Sequence, residues 1–100
     1  MSNPTIKSDD RLYEFTTDER AKEEFLNSVD KPYVAEFLFA MKQTLPSFTF
    51  TDVVSLSRSM DIPVPTLRKI FDAYILAFES YGKLERVQTI LDEPLFLKLN

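Results

Sequence analysis

Three side chains able to grip an anionic polymer fall close together in this chain. Thr66, Arg68 and Lys69 open a helical segment just after the turn Asp61-Ile62-Pro63-Val64-Pro65. Arginine can reach guanine edges or phosphates, lysine reaches phosphates, and threonine either bases or the backbone. Arg58 before the turn, and Lys83 and Arg86 beyond the helix, are placed to add phosphate contacts. Scattered cations of this kind are also an ordinary solubilising face. The turn either presents a helix to nucleic acid or simply joins two packed helices.

Other chemistries are poorly supplied. The 100 residues include no cysteine and no histidine. Disulfides, thiolate metal sites, the usual neutral-pH general base and every Ser-His or Cys-His nucleophilic pair are therefore excluded. No closely spaced run of acids around a glycine offers a calcium loop. No catalytic residue, metal or cofactor is expected, and the chain reads as a non-enzyme. Its apolar stretches fall short of the roughly 20 residues that span a bilayer. MSNPTIKSDDR lacks the basic-then-apolar order of a signal peptide. A soluble, cytoplasmic protein with no membrane partner is the expectation.

The elements that must position the cations follow from spacing. Nine phenylalanines and a hydrophobic fraction of 44% supply one core. Residues 1–13 are polar and aperiodic, a flexible arm. An additional N-terminal helix is predicted within 14–30, started by a Thr16/Glu19 capping box, with Ala21, Phe25 and Leu26 on one side. Asp30-Lys31-Pro32 starts a second helix, with Val34, Phe37, Leu38, Met41 and Leu45 as its apolar face and Pro46 as its end. Ser47 to Phe50 alternates as a short strand. A third helix is expected from Thr51-Asp52, with Val53, Leu56, Ser57 and Met60 on one face. Asp61 ends it, as a residue that tolerates left-handed backbone. The longest helix runs from Val64 to Tyr81, with Leu67, Ile70, Phe71, Tyr74, Phe78 and Tyr81 as its buried stripe. Gly82 is its C-cap. Strands at 83–90 and 95–99 form a hairpin around Leu91-Asp92-Glu93-Pro94.

The stretch FTFTDVVSLSRSMDIPVPTLRKIFDAYILAFESYGKLERV, followed by LFLKLN, resembles the winged helix-turn-helix family of DNA-binding domains. The resemblance covers about residues 31–100 and rests on spacing. It implies an α+β, mostly α fold, in which a three-helix core carries a C-terminal two-stranded wing and the N-terminal helix is extra. Leu56, Ser57 and Ile62 would pack against the recognition helix, 64–81. Val64, Thr66, Arg68 and Lys69 would then face double-stranded DNA, as in a transcriptional regulator. Two departures stand out: Asp61 replaces the usual turn glycine, and the recognition helix is thinly supplied with cations. Asp92 and Glu93 also put acids where a wing would approach phosphates.

The charge distribution and the off-face apolar residues carry the rival reading, a winged-helix module that binds protein and no nucleic acid. The formal net charge is −4. Residues 1–30 hold four basic and eight acidic groups, whereas residues 31–100 hold eight of each. Phe39 and Leu76 fall off the apolar faces of their helices. With Phe25 and Leu26 they offer an interface for a second copy, so a homodimer is expected. Alternatively the N-terminal helix folds over its own domain and hides Phe39.

Overall fold

The structure, a computed structural model, describes residues 18–44, 46–58 and 61–99. The expected arm, Thr16, Leu45 and Met60 lie outside them. In chain order the elements are helix α1 (Glu19–Asn27), a 3-10 turn (Lys31–Tyr33), helix α2 (Val34–Gln43), strand β1 (Ser47–Phe48), helix α3 (Phe50–Leu56), helix α4 (Val64–Ser80), strand β2 (Leu84–Ile90) and strand β3 (Glu93–Lys98). The strands form one antiparallel sheet in the order β1-β3-β2. The fold is α+β and mostly helical, an order compatible with a winged-helix-like arrangement. Among the described residues, no helix is long and apolar enough to cross a membrane.

Helix α1 begins at Glu19, and its cap is Asp18. The Asp18 carboxylate accepts the Ala21 N–H at 2.9 Å. That hydrogen bond holds the carboxyl below its ordinary pKa of 3.8. One turn apart, Ala21 and Phe25 face inward and are fully buried. Asp30 stands at the N-cap position of the 3-10 turn that leads into α2, without a side-chain capping bond, and Pro32 is in its opening positions. Proline is tolerated there because its missing N–H would have no partner anyway.

The third helix starts earlier than its sequence suggests. Phe50 is its first residue, not the end of the strand. Thr49 Oγ1 accepts the Asp52 N–H at 3.2 Å, and Asp52 returns a bond to the Thr49 N–H at 2.9 Å. This reciprocal capping box satisfies two donors that a helix end leaves without partners. Only two turns long, α3 buries a line through Val53 and its i+4 neighbour Ser57. Leu56 is turned about 60° from Val53 and about 100° from Ser57 around the helix axis. The expected packing role of Leu56 therefore fails, and it is 45% exposed. Ile62 is half-buried against the core as expected. The helix ends at Leu56 with Ser57 as its C-cap, short of Asp61; among the described residues, positive φ is found at Gly82 (73°) and Leu91 (58°).

Helix α4 runs through the centre. It buries Leu67, Ile70, Phe71, Tyr74, Ile75, Ala77 and Phe78. Tyr81 is only half-buried, with the Arg20 guanidinium 5.1 Å above its ring. After it, Gly82 turns the chain into β2. A side chain there would meet open space, so the left-handed backbone alone calls for glycine. The hairpin turn is shorter than expected: Leu91 and Asp92 alone make it, and Glu93 and Pro94 already pair with Ile90 and Thr89.

Candidate nucleic-acid interface

The first turns of α4 carry an exposed side. Proline at 63 and at 65 suits a helix beginning, and the Leu67 N–H closes the first turn onto the Pro63 carbonyl at 2.9 Å. Val64 is 55% exposed, Arg68 and Lys69 are exposed, and Thr66 is half-buried. Arg68 is held on two sides. Its guanidinium lies 4.3 Å from the Phe50 ring centroid, and its Nε is 4.0 Å from Asp72 Oδ1. An exposed i,i+4 pair of this kind contributes little, about 0.3–0.5 kcal/mol. The stacking on Phe50 adds a cation–π contact that aims the side chain.

Thr66 and Lys69 share a different flank. With Ile70 they line a cleft of about 320 Å³, closed from the other side by Asn27, Ser28, Val29 and Asp30. The acidic N-terminal segment thus ends beside Lys69, and Asp30 lines the same cleft.

The remaining expected contact residues do not all join this group. Arg58 is exposed directly after the α3 cap Ser57. Lys83 lies beyond the opposite end of α4, a helix about 25 Å long at 1.5 Å per residue. There its positive charge acts on Asp18, so it is not a neighbour of Arg68. Arg86 pairs with Phe96 across β2 and β3, and its Nη2 donates to Thr89 Oγ1 at 3.2 Å. Alternation puts Arg86 on the same sheet face as buried Leu84 and Phe96, which faces the helices.

The hairpin's acids also differ from expectation. Asp92 is exposed at the turn. Glu93 folds back on α3, where its two oxygens accept the Thr51 N–H at 2.5 Å and the Thr51 hydroxyl at 2.6 Å. Neither Phe50 nor the Thr51–Glu93 pair stood out in the sequence. The capping box Thr49-x-x-Asp52 was a readable sign that Phe50 and Thr51 lie in a first helical turn.

The residues expected at a partner interface separate into two kinds. Phe25 is fully buried, with its ring centroid 6.0 Å from Phe37, 5.4 Å from Tyr74 and 6.4 Å from Phe78. Leu26 packs half-buried on the same core. Within this chain α1 uses that face for its own domain, because amphipathic burial against α4 satisfies it. Phe39 and Leu76 stay at the surface, 48% and 66% exposed, so α1 does not hide Phe39. A further apolar strip lies on the outer face of the sheet. Leu95 and Leu97 alternate with inward Phe96, outside the core cluster, and exposed Ile90 lies on the same side.

No family model, curated protein or solved structure matches the chain.

Proposed function

We propose that this chain is a non-catalytic, winged helix-turn-helix DNA-binding protein with an added N-terminal helix, acting as a transcriptional regulator. The observation that carries the reading is the exposed start of α4. A helix buried along most of its length presents Val64, Arg68 and Lys69 to solvent at its N-terminal end, beside the exposed side of a second short helix. In this fold class that end enters the major groove. Arg68, already oriented by Phe50, would contact a base edge or phosphate, and Lys69 and Arg58 would contact phosphates. Thr66, half-buried at the cleft, sits at the margin of the surface.

The neutral balance of residues 31–100 means that electrostatic attraction is modest. Affinity would come from a few well-placed contacts, and pairing of two copies on two half-sites would strengthen it.

The test is fluorescence anisotropy on mixed-sequence and selected-library duplex DNA across a salt series. Wild-type binding is expected to weaken with salt, and Arg68→Glu with Lys69→Glu is expected to abolish it. The pair should account for about two phosphates' worth of the salt dependence. Absence of binding at low salt, with the library as well as the mixed duplex, overturns the reading.

The apolar outer face of the sheet favours a second reading, a protein-interaction module. That function would survive the double charge reversal and would be lost when Leu95 and Leu97 are made polar.

A further inference from the structure

Glu93 stands at the far end of the hairpin, yet its carboxylate is bonded to a residue 42 positions earlier. The first N–H groups of a helix have no partner within the helix. In α3 the Thr49 hydroxyl takes the Asp52 N–H, and Glu93 takes that of Thr51. A carboxylate there also meets the positive end of the peptide dipoles.

The hairpin is otherwise loosely held at this end. β2 is an edge strand, and all of it after Leu84 is exposed. Its pairing with β3 shifts register between Arg86 and Gln88. Such bulges bend and twist a strand.

We infer that Glu93 is a positioning residue of the interface: by tying the hairpin to α3, it holds Arg86 on the same side of the molecule as Arg68. The inference rests on the DNA-binding reading above. Arg86 adjoins Phe96 on the strand side, and Arg68 adjoins Phe50 on the helix side. Phe71 joins the two, with ring centroids 5.2 Å from Phe50 and 6.2 Å from Phe96. The two guanidinium-bearing residues therefore border one ring cluster. A hairpin released from α3 could swing at its bulge, and any phosphate contact of Arg86 would then carry the cost of ordering it. The acid that looked like an obstacle to DNA instead folds onto α3 and fixes the wing.

A double-mutant cycle on duplex DNA tests this. Glu93→Ala and Glu93→Gln remove the same charge, but glutamine keeps a carbonyl oxygen for the Thr51 N–H. Arg86→Ala is expected to weaken binding about fivefold in the wild type and in Glu93→Gln, but less than about twofold in Glu93→Ala. Hydrogen exchange at the Thr51 amide should quicken by about tenfold in Glu93→Ala, with the Phe71 and Tyr74 amides unchanged. An Arg86→Ala effect of equal size in all three backgrounds overturns the positioning role. A wild-type chain that binds no duplex at low salt overturns the DNA reading itself, and this inference with it.

Discussion

Helix α4 has two flanks, and they are sealed by different means. On one, α1 and α2 press rings against rings: Phe25 and Phe37 pack on Tyr74, and Tyr74 stacks on Phe78 at 4.5 Å between centroids. On the other, α3 and the sheet add polar ties to a second ring cluster, in which Phe71 meets Phe48, Phe50 and Phe96. Glu93 is bonded to Thr51, Thr49 and Asp52 cap one another, and the Lys98 ammonium donates to the Met41 carbonyl at 2.9 Å. Burial alone secures an element that can place large side chains deep in the core. A narrow sheet, whose outer face is not packed on that core, needs directional bonds to hold its orientation. The ring side supplies stability, and the tied side sets where the exposed residues point.

The largest effect that would break this contrast is on the ring side. Phe25→Ala should cost about 3–5 kcal/mol in urea unfolding, because a fully buried ring leaves both lost transfer energy and a cavity. A loss below about 1 kcal/mol would mean that α1 is a detachable appendage and not part of the core.

On the tied side, Lys98 makes stability depend on pH. Burial pushes its pKa down from 10.5 to about 8. Between those values the unfolded chain binds this proton and the folded chain does not. Stability should therefore rise with pH across that window and be lowest, for this group, on its acid side. The expected span is about 1–3 kcal/mol, a tenfold change in proton affinity being worth about 1.4 kcal/mol and partial exposure reducing the total. Lys98→Met should flatten the rise in unfolding free energy measured from pH 8 to pH 10.5. Met41 would not be stranded, since its carbonyl also accepts the Thr44 hydroxyl at 2.9 Å.

The smallest effect lies at the seam between α3 and α4. Ser57 Oγ is buried and has no hydrogen-bond partner among the described residues. Ser57→Ala should raise stability by about 1 kcal/mol in the same urea measurement, since an unsatisfied buried hydroxyl is a cost without a return. A loss of stability instead would show that the hydroxyl is needed at this helix end.

Much of the helical architecture is legible in the residue order, and the reasons are local. The stripe Leu67, Ile70, Phe71, Tyr74 and Phe78 repeats at helical spacing, Pro63 and Pro65 bar continuation of the preceding helix, and Gly82 supplies the left-handed backbone after α4. Errors fell where a short element has few residues to reveal its period. Phe50 reads as the end of an alternating strand until the Thr49–Asp52 box is weighed. Leu56 reads as core because two turns of helix are too few to fix a face.

The cations of the candidate interface were visible as residue types, but their grouping was not. The sequence alone groups Lys83 with Arg68, although the length of α4 separates the two. Nor could it show that Glu93 caps α3, because that bond joins residues that only the antiparallel sheet brings together.

What the sequence by itself determined was the set of helices, the hairpin and most of the core stripe. These depend on spacing, caps and backbone preference within a few residues. The tertiary structure alone decided which flank α1 covers, which cations share a surface and which acid bonds to a distant helix. Such choices depend on how preformed elements pack across the chain, where one ring contact or one carboxylate outweighs the order in which residues are strung.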